Sequence, residues 1–126
     1  MNSTKAVLLA LLTALALRLF VFDFMTASGN SMEPAIKNGS VLVINRIKYG
    51  IKFPWQRDYL VLWGQPETGE VVVFYTPEGD MAVKRCTGHS SERGFYAEGD
   101  NPVSSYDSRS YGPVPINNII GKVLGY

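Results

Sequence analysis

The 126-residue chain has one cysteine, Cys86, and one histidine, His89. A single thiol cannot close an intrachain disulfide, build a zinc cluster or form a CxxC redox pair. Set between Arg85 and Thr87, Cys86 reads as a small buried hydrophobe. Surplus charge is missing too: 12 basic and 11 acidic side chains leave a formal net charge of +1. So small an excess cannot neutralise a run of phosphates, so no nucleic acid partner is expected. His89 lies in a polar stretch, residues 87–93, expected as an exposed loop, and reads as a surface residue. A histidine-based serine protease triad is therefore not expected. From residue 28 onward the chain also lacks sustained helical periodicity, internal repeats and low-complexity linkers.

What the chain does have begins with an apolar run. Residues 6–17 carry no charge and are nearly all Ala, Leu and Val. Lys5 precedes the run, Arg18 interrupts it, residues 19–22 resume it and Asp23 ends it. The leading reading is a single-pass membrane anchor, with Arg18 near the far interface, its long stem snorkelling to the headgroups. Phe20, Phe22 and Phe24 would sit at that interface. A cleaved signal peptide has the same charged start and apolar middle, with a cut near Ala14-Leu15-Ala16 or Ala27. The third reading is a buried core helix. On the first reading, residues 1–27 form the anchor and residues 28–126 the catalytic domain.

After Ser28 the pattern changes to short β-branched or aromatic runs at residues 40–44, 59–63, 70–75 and 81–86, with two more at 94–97 and 119–124. Gly69, Pro77-Glu78-Gly79-Asp80, Gly99-Asp100-Asn101-Pro102 and Gly112-Pro113 punctuate them as turns. Strands at this spacing predict a mainly β fold, one compact and mostly antiparallel domain behind the N-terminal transmembrane helix.

Three local features carry the chemistry. Ser28-Gly29-Asn30-Ser31-Met32-Glu33-Pro34 can hold Ser31 on a tight, exposed turn. Ala82-Val83-Lys84-Arg85 lies on an expected strand, and Gly99-Asp100-Asn101 is followed by Ser105-Tyr106-Asp107-Ser108-Arg109. A serine needs a base to become a nucleophile at neutral pH. With His89 set aside, a lysine can serve if burial strips its solvation and lowers its pKa. Lys84, beside Ala82 and Val83 on a core strand, meets that condition, whereas Lys37, Lys48 and Lys52 are expected to be exposed. Taken alone, Lys84-Arg85 would be ordinary strand-edge charges. Ser31-Met32 alone would be an ordinary turn. Their joint occurrence, in order, is what points to a site.

Together the three features resemble type I signal peptidase, the Ser-Lys leader peptidase family. Its nucleophile box is similar to residues 28–34, its base box to Val83-Lys84-Arg85, and its last box to residues 99–101 and 105–109. Lys48-Tyr49-Gly50-Ile51-Lys52-Phe53-Pro54 and Gly69-Glu70-Val71-Val72-Val73-Phe74 also look like family segments. The resemblance implies that Ser31 is the nucleophile, Lys84 the neutral general base, and Ser105 the residue that hydrogen-bonds and orients Lys84. It implies an oxyanion hole at the Ser31 N–H, with Gly29 and Ser28 beside it. Asp107 and Arg109 would form a supporting ion pair, and Met32, Pro34 and Val83 would face the substrate. Some members carry a serine, as a second oxyanion donor, where this chain has Gly29. Ala35 and Ser40 stand where the family prefers Thr and Asp, and residues 88–92 replace a Gly-Leu-Pro-Gly-Asp-like turn. The extra β domain of larger members is expected to be absent.

The implied activity is removal of signal peptides from exported preproteins, cutting after small residues through an acyl-enzyme. The implied partners are those signal peptides and the lipid bilayer, with no cofactor, metal or nucleotide. The implied location is the cytoplasmic (inner) membrane, with the N-terminus in the cytoplasm and the catalytic domain outside. Three rivals accompany this reading. Self-cleaving SOS repressors share the dyad, but carry a DNA-binding domain or soluble arm and lack the last box. A conjugative-transfer peptidase that matures pilin is nearer. An inert membrane-tethered β domain that binds a peptide would lack turnover.

Overall fold

The run without charge between Lys5 and Arg18 forms helix α1 (Ser3–Ala16), and the Asn2 side chain accepts the Lys5 N–H at 2.9 Å as its N-cap. In this computed structural model, which describes residues 2–91 and 93–126, α1 continues directly into a π-helical turn over Leu17–Val21. Met1 and Glu92, the latter within the expected 87–93 loop, lie outside the described residues. The 19 helical residues Ser3–Val21 are long and apolar enough to cross a membrane. At 1.5 Å per residue they extend about 28 Å, close to the ~30 Å of a bilayer's hydrocarbon core. No residue of α1 is buried, which overturns the core-helix reading. The β domain fills its interior with its own strands and needs no helix to cover it. Arg18 turns toward the end of the span, where its guanidinium donates to the Phe22 carbonyl at 3.2 Å and pairs with Asp23 at 3.3 Å.

The strands are β1 (Phe22–Thr26), β2 (Val41–Asn45), β3 (Gly50–Ile51), β4 (Val61–Leu62), β5 (Val71–Tyr75), β6 (Met81–His89) and β7 (Gly94–Glu98). The short helix α2 (Ser108–Tyr111), β8 (Val114–Pro115) and β9 (Ile119–Gly125) complete the chain. Seven strands form one sheet in the order β1-β2-β9-β5-β6-β7-β8, and β3 and β4 form a separate hairpin. Each of these pairings is antiparallel. Residues 22–26, expected with the anchor, instead pair with β2 along their whole length. The run at 59–63 contributes only the two residues of β4. The run at 81–86 extends to His89, so the polar stretch begins as strand and not as loop, although His89 itself is exposed.

Central strand β5 is buried at Val71, Val72, Val73 and Phe74. Successive strand residues point to opposite faces, so such a run serves two cores. Val72 and Phe74 join Tyr49, Cys86, Phe95 and Ile119 in one cluster. Val71 and Val73 join Met32, Ile36, Leu42, Ile44 and Ile120 in the other. Cys86 is buried in the first cluster, as its setting in the sequence implied. The sheet bends at register shifts in β2, β5 and β6.

Lys52 departs from expectation. It is buried, with its ammonium 4.8 Å from the Tyr59 ring centre and 5.8 Å from that of Tyr75. Burial, then the nearby Arg46 and Arg57 charges, pull its pKa down to about 8. The aromatic faces that cover it lie more than five residues away in sequence, so its neighbours along the chain did not reveal them.

Phe74 is fully buried and meets Phe95 edge-on, ring centres 5.7 Å apart. Phe74→Ala is expected to cost about 3–5 kcal/mol by leaving a cavity at the centre of the sheet. Urea unfolding of the detergent-solubilised protein, followed by tryptophan fluorescence, measures that loss.

Candidate active site

Ser31 sits in a turn that the local sequence builds. Gly29 adopts φ +89°, a left-handed conformation that favours glycine, and its N–H donates to the Asn38 side chain at 3.0 Å. The Ile36 N–H closes on the Met32 carbonyl at 2.9 Å. Met32 and Ile36, one turn apart, are both buried in the second cluster and pin the segment to the sheet. Ser31 is left partly exposed above them, and its own N–H has no protein acceptor among the described residues.

Lys84 approaches from the middle of β6. Its Nζ lies 2.7 Å from Ser31 Oγ. When the lysine is charged Nζ donates, and when it is neutral the hydroxyl donates to it. Lys84 is 7% exposed and forms no ion pair among the described residues. Burial pushes its pKa down, the Asp107 carboxylate opposes that shift, and the Arg109 charge adds to it. A lysine so placed can take a proton from the hydroxyl it touches.

The third segment ties these two together. Asn101 donates its backbone N–H to the Ser31 carbonyl at 2.8 Å and its side-chain amide to the Asn30 carbonyl at 3.1 Å. Arg85, next to Lys84, makes a two-point pair with Asp100 at 2.9 and 2.8 Å. One neighbour of Ser31 and one neighbour of Lys84 are thus held by the Gly99-Asp100-Asn101 turn. This pairing was not read from the sequence, although opposite charges in two adjoining motifs were a usable signal.

Asp107 and Arg109 do form an ion pair, at 2.5 Å. Asp107 is fully buried and also accepts the Gly99 N–H at 2.8 Å and the Arg109 N–H at 3.0 Å. Burial pushes the Asp107 carboxyl up, but the hydrogen bonds from Arg109, Ser105 and Gly99 outweigh it and hold the group well below the usual carboxylate range. Ser105 has a different partner from the expected one: its hydroxyl donates to Asp107, and it makes no hydrogen bond to Lys84 among the described residues.

A cleft of about 180 Å³ runs past the pair. Residues 25–29 form one wall and residues 81–84 the other, with Met32 and Ile36 also contributing. Ser28, Gly29, Met32 and Val83 line it, whereas Pro34, expected to face the substrate, is exposed and lies outside the lining. Met25, Ala27, Ile36, Met81 and Ala82 also line it and were missed. Ile36 could have been found, as the apolar residue one helical turn after Met32. Strand β5 covers one edge of residues 81–85, but β7 joins the other edge only at Arg85. Among the described residues, the backbone of residues 81–84 is left unpaired on that side.

Gly99 lacks a side chain for steric reasons. A Cβ there would stand 2.2 Å from Ser105 Oγ and 2.6 Å from the Ser31 carbonyl oxygen. Gly99→Ala must therefore push the Ser31 turn away from Lys84. Labelling of Ser31 by a serine-directed acylating probe, read by intact mass, is expected to slow on the order of 10²-fold, with the circular dichroism of a folded protein retained.

The chain was compared with known proteins. The family model described as "Signal peptidase, peptidase S26" matches residues 1–93, which include Ser31 and Lys84. Signal peptidase I of Haemophilus influenzae is 34% identical over 83% of this chain, which spans 29% of that protein's length. Signal peptidase I of Bacillus caldolyticus is 27% identical, over 85% of this chain and 80% of its own length. Mitochondrial inner membrane protease subunit 1 of Xenopus tropicalis is 31% identical, over 82% of this chain and 68% of its own. On the match across residues 1–93 and on these relatives, the chain belongs to the signal peptidase family, peptidase S26.

Proposed function

We propose that this chain is a membrane-bound serine endopeptidase that removes signal peptides from exported preproteins. The observation that carries the reading is the 2.7 Å contact between Ser31 Oγ and the buried Lys84 Nζ beside a cleft. Family membership and the names of the bacterial relatives support the substrate class.

In this mechanism neutral Lys84 accepts the Ser31 proton as Oγ attacks the peptide carbonyl. The Ser31 N–H, free of other acceptors among the described residues, stabilises the oxyanion. Lys84 then protonates the leaving amine, and afterwards removes a proton from the water that hydrolyses the acyl-enzyme. Asp107 and Arg109 act through position and field: they hold Gly99, and Gly99 touches both Ser105 and Ser31. Ser105 supports Lys84 indirectly, by completing the Asp107 cage.

An extended substrate adds a strand to the open edge of residues 81–84. The cleft is small and lined by Met25, Met32, Ile36 and Val83, which favours small apolar side chains on either side of that strand. The helix Ser3–Val21 anchors the enzyme, with the N-terminus in the cytoplasm and the β domain outside the inner membrane. Residues 1–27 act as the anchoring unit and residues 28–126 as the catalytic unit, with β1 extending from the first into the sheet of the second.

The detergent-solubilised protein is expected to cut a preprotein after the second alanine of an Ala-x-Ala site, located by mass spectrometry. Ser31→Ala and Lys84→Ala are each expected to lower kcat/KM on the order of 10⁴-fold or more. Full activity in either variant would overturn the assignment. The pH profile has a definite sign. Lys84 works unprotonated, so kcat/KM rises with pH as it deprotonates. Because burial lowers its pKa, that rise is expected below the ~10.4 of an unperturbed lysine.

A further inference from the structure

Two backbone carbonyls flank the Cα of Ser31, and one residue holds both. Asn101 donates its backbone N–H to the Ser31 carbonyl at 2.8 Å and its side-chain amide to the Asn30 carbonyl at 3.1 Å. A carbonyl oxygen only accepts, so the NH2 end of the Asn101 amide must face it. The Asn30 carbonyl has a second donor within its own turn, the Glu33 N–H at 3.2 Å. Both lone pairs of that oxygen are thus used, one by its own turn and one by a residue 71 positions away. Asn101 has little freedom of its own. Asp100 before it is bound at two points by Arg85, the Gly99 N–H donates to Asp107, and the Ser104 N–H closes on the Asn101 carbonyl at 3.1 Å.

The Asn30 carbonyl and the Ser31 N–H belong to one peptide group. That group is planar and trans, so its C=O and N–H point in opposite directions. Holding the carbonyl against Asn101 therefore aims the Ser31 N–H away from the 99–101 turn, where it meets no acceptor among the described residues. The Gly29 N–H is already engaged, donating to the Asn38 side chain at 3.0 Å. Stabilisation of a developing oxyanion then depends on the direction of the Ser31 N–H, because a donor contributes most when it is aimed in advance at the place where charge appears.

We propose that the Asn101 side chain is a positioning residue for the oxyanion hole: by holding the Asn30 carbonyl it aims the Ser31 N–H at the substrate oxygen as that oxygen gains charge. The proposal rests on reading the chain as an endopeptidase that uses Ser31 and Lys84. It gives the two bonds of Asn101 separate roles. The backbone bond places Ser31, and the side-chain bond sets the direction of one donor. Loss of the side chain releases a single peptide group and leaves the backbone bond and the 2.7 Å contact between Ser31 and Lys84 in place.

The detergent-solubilised full chain is assayed on a peptide with an Ala-x-Ala site, beside the Asn101→Ala and Asn101→Asp variants. Asn101→Asp keeps the size of the side chain and sets a carboxylate oxygen against the Asn30 carbonyl, so it tests the donor even where Asn101→Ala does not fold. In both variants kcat is expected to fall on the order of 10²-fold, with KM within about twofold, because the bound substrate carries no charge on its carbonyl oxygen. A peptide aldehyde of the same sequence adds Ser31 Oγ to its carbonyl carbon and puts its oxygen in the hole. Its inhibition constant is expected to weaken by about the same factor as kcat. The pH at which kcat/KM rises is set by Lys84 and is expected to stay where it lies in the unsubstituted protein. A shift of that midpoint together with the lost activity would assign Asn101 to the Ser31–Lys84 contact and overturn the proposal. Unchanged kcat in a folded variant, with Ser31→Ala inactive, overturns it and leaves the endopeptidase reading intact. An unsubstituted chain that does not cut the peptide removes that reading and the role of Asn101 together.

Discussion

Burying a lysine without a carboxylate directly against it is costly, because the charged ammonium loses its water and gains no ion pair in return. Lys84 is held in that state by its place in the chain. It lies in the middle of β6, where pairing with β5 fixes the backbone and leaves the side chain only 7% exposed, at the wall of the cleft. Relief comes from deprotonation, and the hydroxyl of Ser31 at 2.7 Å is the group poised to share that proton. The charges nearest to Lys84 pull in opposite directions, Asp107 favouring the ammonium and Arg109 the amine, so burial sets the balance.

The surrounding structure keeps this contact short. Ser31 is attached to the sheet from below by Met32 and Ile36 and from the side by Asn101. Lys84 is attached through Arg85 to Asp100. Both attachments end in one turn, whose first residue has no room for a methyl group and whose position is set by the buried Asp107. The site is thus a closed circuit of backbone and charged hydrogen bonds, in which a shift at any member is felt at the dyad. Among the described residues, the same fold leaves residues 81–84 with one unpaired edge, so Ser31 and Lys84 adjoin a row of backbone donors and acceptors open to an extended chain.

At the opposite end of the polarity scale, no residue of the helix Ser3–Val21 is buried within the protein, and Trp55 on the β3–β4 connection is 75% exposed. Both surfaces meet at Phe20 and Phe53. The β domain is joined to that helix by an edge strand, β1, and braced against its last turn by Arg46.

Local order along the chain was enough to determine the apolar helix, the run of strands at β2, β5, β6, β7 and β9, the serine turn and the buried lysine, because each depends on periodicity or turn chemistry within a few residues. Tertiary structure alone decided the rest. Residues 22–26 follow directly on the span and share its aromatic end, and only the register with β2 makes them a strand. Lys52 is flanked by Ile51 and Phe53 in a connection that carries no burial signal, and it is buried because Tyr59 and Tyr75 fold over it. Ser105 turns to Asp107 because an ionised carboxylate is a stronger acceptor for its hydroxyl than a neutral group. Arg85 finds Asp100, and the cleft acquires Met25 and Met81 as walls, only when strands distant in sequence are brought together. Periodicity reports which way a side chain points from its own backbone, whereas its partners are set by contacts between segments 70 or more residues apart, as between Asn101 and Ser31 or Val43 and Gly125.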